Sequence, residues 1–191
     1  MQQVVEERKQ RSDAKRNHDA LLAAAGDAFA ERGTDASLED IARRAGVGIG
    51  TLYRHFPTRD ALNEAVYRNE VETLCDNVGP LLSSNEPDVA LREWMSQFAD
   101  YVAKKKGMAA ALKSALGADN ELFTYSRQRI VDAISTLVNA AAAAGSIRPD
   151  ANPEDVLKML SGICMTSDLH GNESLNRLID LIVDGLRYRP S

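Results

Sequence analysis

Apolar residues recur at intervals of three and four positions along nearly the whole chain, and no segment alternates as a half-buried strand would. The first such stripe, from Leu21 to Phe29, predicts an amphipathic helix over about residues 13–31. Only 5% of the residues are aromatic, which also favours helices over strands. The sequence therefore predicts an all-α fold of about nine helices.

Capping residues and helix breakers mark the first helix boundaries. Ser37 and Asp40 resemble a capping box, in which the serine hydroxyl accepts a backbone N–H and the carboxylate reaches back. Two glycines flank Val47 and supply a turn before a second short helix over 49–55. Pro57 disfavours helical geometry at the residue before it, so it ends that helix.

Further along the chain, other breakers predict where helices end and restart. A helix that begins after Thr58 is expected to run to about residue 78, where Gly79-Pro80 breaks it. Lys104-Lys105-Lys106 before a glycine looks like a cationic helix end, followed by a short helix over 108–116. Asn152-Pro153 combines a cap with proline at the first helical position and predicts a helix start.

The charge distribution is more informative than the net charge of -5. Residues 1–68 carry 11 basic and 11 acidic side chains, whereas the remainder carries 12 and 17. A local basic face on an acidic molecule can hold DNA in one orientation, although an ordinary solvated mixture of charges fits the same numbers. The basic residues in question are Arg8, Lys9, Arg11, Lys15, Arg16, Arg43, Arg44, Arg54 and Arg59.

Several classes of protein are disfavoured by what the sequence lacks. It has no apolar run of about 18 residues, and its first residues lack the apolar region of a secretory signal, so we expect no membrane association. Cys75 and Cys164 fit reduced thiols in the cytoplasm, with a redox role left open. No metal spacing, catalytic triad or phosphate-binding glycine loop occurs, so we expect no metal, no cofactor and no enzyme.

Residues 37–59 predict two short helices joined by a tight turn, which is the helix-turn-helix arrangement. Small and polar side chains remain on the outward face of the second helix, where they could approach a DNA groove and its phosphates. From spacing alone, a three-helix packing unit without a ligand is the alternative. The outward residues are Gly48, Ile49, Thr51, Tyr53, Arg54 and His55.

Ala45-Gly46-Val47, the run Gly50-Thr51-Leu52-Tyr53-Arg54-His55-Phe56, and Arg59 closely resemble the signature of the tetracycline-repressor (TetR) family. The resemblance is dense over about residues 16–68. It implies a DNA-binding domain over 1–62 and a helical effector-binding and dimerisation domain over 63–191. It also implies a transcription regulator, normally a repressor, that leaves a quasi-palindromic operator when a small molecule binds.

The resemblance assigns roles to individual residues as well. Tyr53, His55 and Arg59 would contact the phosphate backbone, and Ser37 would cap the second helix and aim its backbone at a phosphate. Many members carry a Ser-Lys pair where this chain has Gly48-Ile49, which shifts the expected base reading to Thr51, Arg54 and the basic arm before residue 17. The full DNA-binding set is Ser37, Val47, Gly48, Ile49, Gly50, Thr51, Tyr53, Arg54, His55 and Arg59. Tyr53 and Phe56 could instead be core aromatics.

Two predicted helices near the C-terminus carry long apolar stripes that a single chain would leave partly exposed. The resemblance implies that they form a four-helix bundle with a second copy, and ordinary core within one chain is the alternative. The predicted interface comprises Leu160, Ile163, Cys164, Leu175, Leu178, Ile179, Ile182 and Leu186.

By resemblance, an apolar or amphipathic effector would bind among the helices of the C-terminal domain. Large, adaptable side chains in that region could line a pocket, although such residues more often form core. The candidates are Trp94, Met95, Phe98, Tyr101, Phe123, Tyr125 and Met159. A helical interaction module that has lost DNA binding is a further alternative, because Gly48-Ile49 weakens the polar face.

Overall fold

The computed structural model describes residues 2–117, 120–166 and 172–187, and over these residues it contains nine α-helices and no strand. The predicted all-α fold is therefore confirmed. None of the described helices has both the length and the apolar character needed to cross a membrane. The helices are α1 (Gln2–Arg32), α2 (Leu38–Arg44), α3 (Ile49–His55), α4 (Arg59–Asp76), α5 (Val78–Ser84), α6 (Pro87–Leu116), α7 (Glu121–Ala143), α8 (Pro153–Thr166) and α9 (Asn172–Leu186).

The chain divides into two compact units. The first comprises Met1–Asn69 with Lys104–Asn120, and the second comprises Glu70–Ala103 with Glu121–Ser191. Both α4 and α6 contribute residues to each unit. The functional division at residues 62 and 63 stays a prediction.

Side chains from α1, α2 and α3 form one continuous core in the first unit. Their burial follows the apolar periodicity, and a fully buried leucine, isoleucine or phenylalanine typically stabilises a fold by about 1.5–3 kcal/mol. Leu52 is the buried residue of α3, and Phe56 follows directly after that helix. The buried set includes Leu21, Ala25, Phe29, Ile41, Ala42, Leu52 and Phe56.

Local signals place α2 and α3 where the sequence predicts them. The Ser37 hydroxyl accepts the Asp40 backbone N–H at 3.3 Å, which caps α2. The Asp40 carboxylate does not reach back as the expected capping box requires. It accepts instead from arginines on α1 and α2. Gly46, with φ of +71°, turns the chain after α2, and the Val47 N–H closes the turn on the Ala42 carbonyl at 3.0 Å.

Three predicted boundaries are wrong, and position within the helix or packing explains the second and the third. The first helix begins at Gln2 and not near residue 13. Gly79-Pro80 lies inside the first turn of α5, where a missing N–H costs no helical hydrogen bond. α6 continues through Lys104-Lys105-Lys106 to Leu116, because packing of its later residues, including buried Met108, offsets the cost of about 1 kcal/mol of a glycine inside a helix.

In the second unit, capping and ion pairs fix the last two helices. The Asn152 side-chain oxygen accepts the Glu154 and Asp155 backbone N–H groups at 2.9 and 3.2 Å, which caps α8 as predicted. Arg92 on α6 donates to Asp180 on α9 at 2.7 Å, so α9 is tied to α6 as well as packed on α8.

Candidate nucleic-acid interface

The outward face of α3 and its preceding turn is open to solvent. Tyr53 is 48% exposed and Ile49 37% exposed, so Tyr53 is not a core aromatic. Arg54 is exposed, whereas Thr51 and His55 are half-buried. The exposed glycines at 48 and 50 leave space in which a Cβ would meet nothing, so a flat backbone surface lies between the polar groups.

Three polar groups of this face have no hydrogen-bond or ion-pair partner within the part of the chain that the structure describes. Thr51, Tyr53 and Arg54 make no side-chain hydrogen bond or ion pair there. A hydroxyl, a phenol and a guanidinium in this state can each donate to an external acceptor without breaking a protein bond. The face is therefore prepared for an acceptor-rich ligand such as phosphate or a base edge.

The arginines of α2 differ from Arg54, because acidic side chains already bind them. Arg44 donates to both carboxylate oxygens of Glu31 on α1 at 2.8 and 2.9 Å, and to Asp40 at 2.9 Å. Arg43 donates to the other oxygen of Asp40. Hydrogen bonds from Arg44 lower the pKa of Glu31, and bonds from Arg43 and then Arg44 lower the pKa of Asp40. This network fastens α2 to the end of α1.

Two residues flank the helix pair from either side. Besides capping α2, the Ser37 hydroxyl donates to a Glu39 carboxylate oxygen at 2.8 Å. Arg59, the first residue of α4, directs one guanidinium nitrogen, Nη1, to the carbonyls of Thr34 and Ala36 at 2.8 and 2.7 Å. Arg59, which the sequence predicts to contact a phosphate, is thus already hydrogen-bonded within the protein.

An aromatic cluster connects the C-terminal end of α3 to α1. The His55 ring lies edge-on to His18, with centroids 5.7 Å apart, and His18 also contacts the Phe56 ring at 5.1 Å. Phe56 is buried, which makes it a core residue. Sequence reasoning missed the contribution of His18, because its contact partners lie nearly 40 residues away in the chain.

Two family models match the chain. "Bacterial regulatory proteins, tetR family" matches residues 21–66, and "Transcriptional regulator SbtR-like, C-terminal domain" matches residues 86–188. The second match covers more than half of the chain. The chain belongs to the TetR family. The resemblance expected from the helix-turn-helix residues is therefore confirmed, and the chain is a helix-turn-helix transcriptional regulator of that family.

Solved structures agree with the family models. A TetR transcriptional regulator from Streptomyces coelicolor is 49% identical, with 91% of this chain and 99% of that chain covered and a TM-score of 0.83. A TetR transcription regulatory protein from Mycobacterium vanbaalenii is 32% identical, with 94% and 99% covered and a TM-score of 0.79. An HTH-type transcriptional regulator from Staphylococcus aureus is 38% identical over 82 residues, which are 41% of this chain and 42% of that relative. The match therefore spans less than half of that curated relative.

Besides the outward face of α3, this TetR-family chain exposes an apolar groove of about 680 Å³ on α8 and α9. Of the predicted interface residues, Leu160, Ile179 and Leu186 are buried within the chain, so their burial needs no second copy. The other five, Ile163, Cys164, Leu175, Leu178 and Ile182, are half-buried. The groove is lined by Arg148, Met159, Gly162, Ile163, Leu178, Leu181, Ile182, Gly185 and Leu186.

Sequence reasoning missed four residues of this groove, Arg148, Gly162, Leu181 and Gly185. Leu181 is 66% exposed, and Gly162 and Gly185 leave open space at their Cα positions. The sequence does contain a pattern that indicates this face. Positions 178, 181, 182 and 185 repeat at helical spacing, next to the buried positions 179, 183 and 186. α9 therefore has two apolar faces, one turned into the chain and one turned outward.

The predicted effector-pocket residues fall into two groups. Trp94, Met95, Phe98 and Tyr101 are buried along α6, with the Trp94 and Phe98 rings stacked at 5.6 Å. The Trp94 indole N–H donates to the Leu74 carbonyl at 3.0 Å. Phe123 is half-buried and Tyr125 is exposed, whereas Met159 is 48% exposed in the α8–α9 groove. These seven residues do not form one lining in this structure.

The two cysteine thiols are free. Burial raises the pKa of the Cys75 thiol and of the Cys164 thiol to about 11. Because the thiolate is the reactive form, both groups are poor nucleophiles at neutral pH. Among the described residues, no group of three or more His, Cys, Asp and Glu side chains is placed to hold a metal ion.

Proposed function

We propose that this TetR-family regulator is a homodimeric repressor that binds a quasi-palindromic operator and leaves it when a small molecule binds. The observation that carries the proposal is the face of α3, where Thr51, Tyr53 and Arg54 are accessible and have no protein partner among the described residues. Such a regulator works on cytoplasmic DNA and carries out no catalysis of its own.

On DNA, the proposed contacts divide into positioning and reading groups. Tyr53 and His55 donate to phosphates, which fixes the register of α3 without choosing a sequence. Thr51 and Arg54 reach base edges in the major groove, and the backbone at Gly48 and Gly50 allows close approach. Ser37, Val47 and Ile49 complete the set of contacts, and Arg59 borders the helix pair at the start of α4.

The proposed partner of the α8–α9 groove is a second copy of the chain. An exposed apolar groove of this kind is covered efficiently by the same surface of a copy related by a two-fold axis. The two copies of α3 would then lie about one DNA turn apart, near 34–36 Å, which matches an operator with two inverted halves. Sedimentation at micromolar concentration tests this directly, and a monomer there would exclude it.

The proposed effector binds in the C-terminal part of the chain. Phe123 and Tyr125 have accessible surface, whereas Met159 lies in the groove that the second copy would cover, and the buried set on α6 would have to rearrange to admit a ligand. An effector releases DNA only through a higher affinity for a conformation in which the two copies of α3 no longer fit successive grooves. A displacement of α4 is the proposed route.

The experiment that tests the function is selection of genomic fragments by the purified protein, followed by mobility shift with heparin competition. We expect a small set of fragments with inverted repeats to be enriched and to resist competition. A screen for compounds that release the best fragment then tests the effector. Equal binding of all fragments, removed by heparin, would leave a helical interaction module as the better description.

A further inference from the structure

Arg59 makes two long-range side-chain hydrogen bonds beside the helix pair. Its Nη1 atom donates to the Thr34 carbonyl at 2.8 Å and to the Ala36 carbonyl at 2.7 Å, across 25 and 23 residues of sequence. The Arg59 side chain is half-buried. Hydrogen bonds from a charged guanidinium are stronger than hydrogen bonds between two neutral groups.

Both carbonyls belong to the connection between α1 and α2, residues 33–37. This connection starts at Gly33, whose φ of +76° turns the chain after α1, and the Ala36 N–H donates to the Gly33 carbonyl at 3.2 Å. It ends at Ser37, whose hydroxyl caps α2. Arg59 therefore fastens the start of α4 to the short segment that determines where α2 begins.

We infer that Arg59 is a positioning residue for DNA binding, which acts through residues 33–37 and not through a phosphate contact of its own. The inference rests on the proposed function and differs from the phosphate role that the family resemblance implies for this residue. A binding constellation needs its groups held to within about 0.5 Å, so an anchor at the start of α2 determines how well the outward face of α3 fits the groove.

Lysine keeps the charge but changes the reach and the donor directions of this anchor. The guanidinium is a planar group with five donors at fixed directions, whereas an ammonium is a compact and strongly hydrated point charge. A phosphate contact, in contrast, tolerates the exchange well because phosphate also accepts from lysine. Arg59→Lys therefore separates the two roles, and Arg59→Gln removes the charge as well.

The test uses the fragment that the unaltered protein selects most strongly. Arg59→Lys, Arg59→Gln and the control Arg68→Lys, which makes the same exchange further along α4, are compared with the parent. For each, the Ala36 amide exchange rate is measured in the free protein, and DNA affinity is measured at several salt concentrations. Circular dichroism checks that every variant retains the parent's helix content.

We expect Arg59→Lys to accelerate Ala36 exchange and to weaken DNA binding by about tenfold, with the dependence of log K on log salt unchanged. Arg59→Gln should weaken binding similarly, and its slope should change by much less than the roughly 0.9 expected for one lost phosphate contact. Arg68→Lys should match the parent in both measurements.

Three results would overturn the inference. Parental DNA affinity for Arg59→Lys together with a full unit of slope lost in Arg59→Gln would show a direct phosphate contact. Faster Ala36 exchange with unchanged affinity in both variants would show a role in stability alone. Unchanged exchange would show that Arg59 does not hold the connection. Failure of the proposed function differs from all three, because the parent itself would then select no fragment.

Discussion

The outward faces of α3 and α9 are both exposed, but they are built in opposite ways. α3 presents a hydroxyl, a phenol and a guanidinium around bare glycine backbone, whereas α9 presents Leu178, Leu181 and Ile182 beside a glycine. Unpartnered donors are satisfied by phosphate and base edges, and apolar side chains are satisfied by other apolar side chains. Both faces are exposed, but their chemistry differs: the α3 face suits DNA, and the α9 face suits another apolar protein surface.

The largest expected effect comes from placing a charge in the α9 face. Leu181→Asp would bury one carboxylate from each copy in the proposed dimer, and unpaired buried charges cost several kcal/mol. We expect the dimer dissociation constant to rise by at least about 100-fold, since every 1.4 kcal/mol is a factor of ten. Sedimentation equilibrium measures the change.

Val89→Asp is a matched control for that variant, because Val89 is also a large exposed apolar residue but does not line the groove. It should leave dimerisation unchanged. If both variants dimerise as the parent does, the α9 face is not the dimer interface, and its apolar character does not indicate a second copy as its partner.

A smaller effect is expected on the α3 face at Thr51. If its hydroxyl reaches a base edge, Thr51→Ala should reduce the preference for the selected fragment over random DNA by about 1–3 kcal/mol. Competition titrations with fragments that differ at single base pairs measure the preference and locate the position read. Equal losses on the fragment and on random DNA would assign Thr51 to the phosphate backbone.

The next comparison is between Arg54 and Arg44. Because Arg54 has no protein partner among the described residues and is proposed to reach a base edge, Arg54→Ala should reduce the preference for the selected fragment by about 1–3 kcal/mol. Arg44 is bound by Glu31 and Asp40, so Arg44→Ala should leave that preference unchanged and lower Tm instead. An equal loss of preference in both variants would mean that DNA displaces the carboxylates from Arg44.

The smallest effect is a dependence of the Arg44 contribution on pH. The pKa values of Glu31 and Asp40 are lowered in the folded chain, so their ion pairs stabilise it above the unfolded values near pH 4. This contribution is lost as the pH falls through the lowered folded values. The Tm difference between the parent and Arg44→Ala should therefore be constant from pH 6 to 7 and should shrink below about pH 4. A difference that persists at pH 2 would point to packing by the arginine stem.

The helix-turn-helix could be predicted closely because its signals are local. Ser37, Gly46 and Pro57 each act on neighbouring backbone, so the sequence alone fixes the ends of α2 and α3. The breakers at Gly79-Pro80 and Gly107 misled because their effect depends on position within a helix and on burial of later residues. Sequence patterns do not contain that information.

The supporting contacts of the site could not be predicted. Arg59 binds two backbone carbonyls, and carbonyls have no sequence signature. Leu181 was missed because a helix with two apolar faces has nearly continuous apolar positions, which hides where one face ends. Both failures concern tertiary contacts, whereas the residues on the surface of α3 followed from spacing and family resemblance.

The length of α3 has a consequence for genome-wide selectivity. Seven residues at a rise of 1.5 Å span about 10 Å, which is enough to face three or four base pairs. A base sequence that short recurs by chance roughly once in a hundred positions, and a symmetric pair of them roughly once in ten thousand. Among about a million or more competing sites, a hundred or more chance matches would remain, so the proposed dimer would need further discrimination, for example from the bendability of the intervening base pairs.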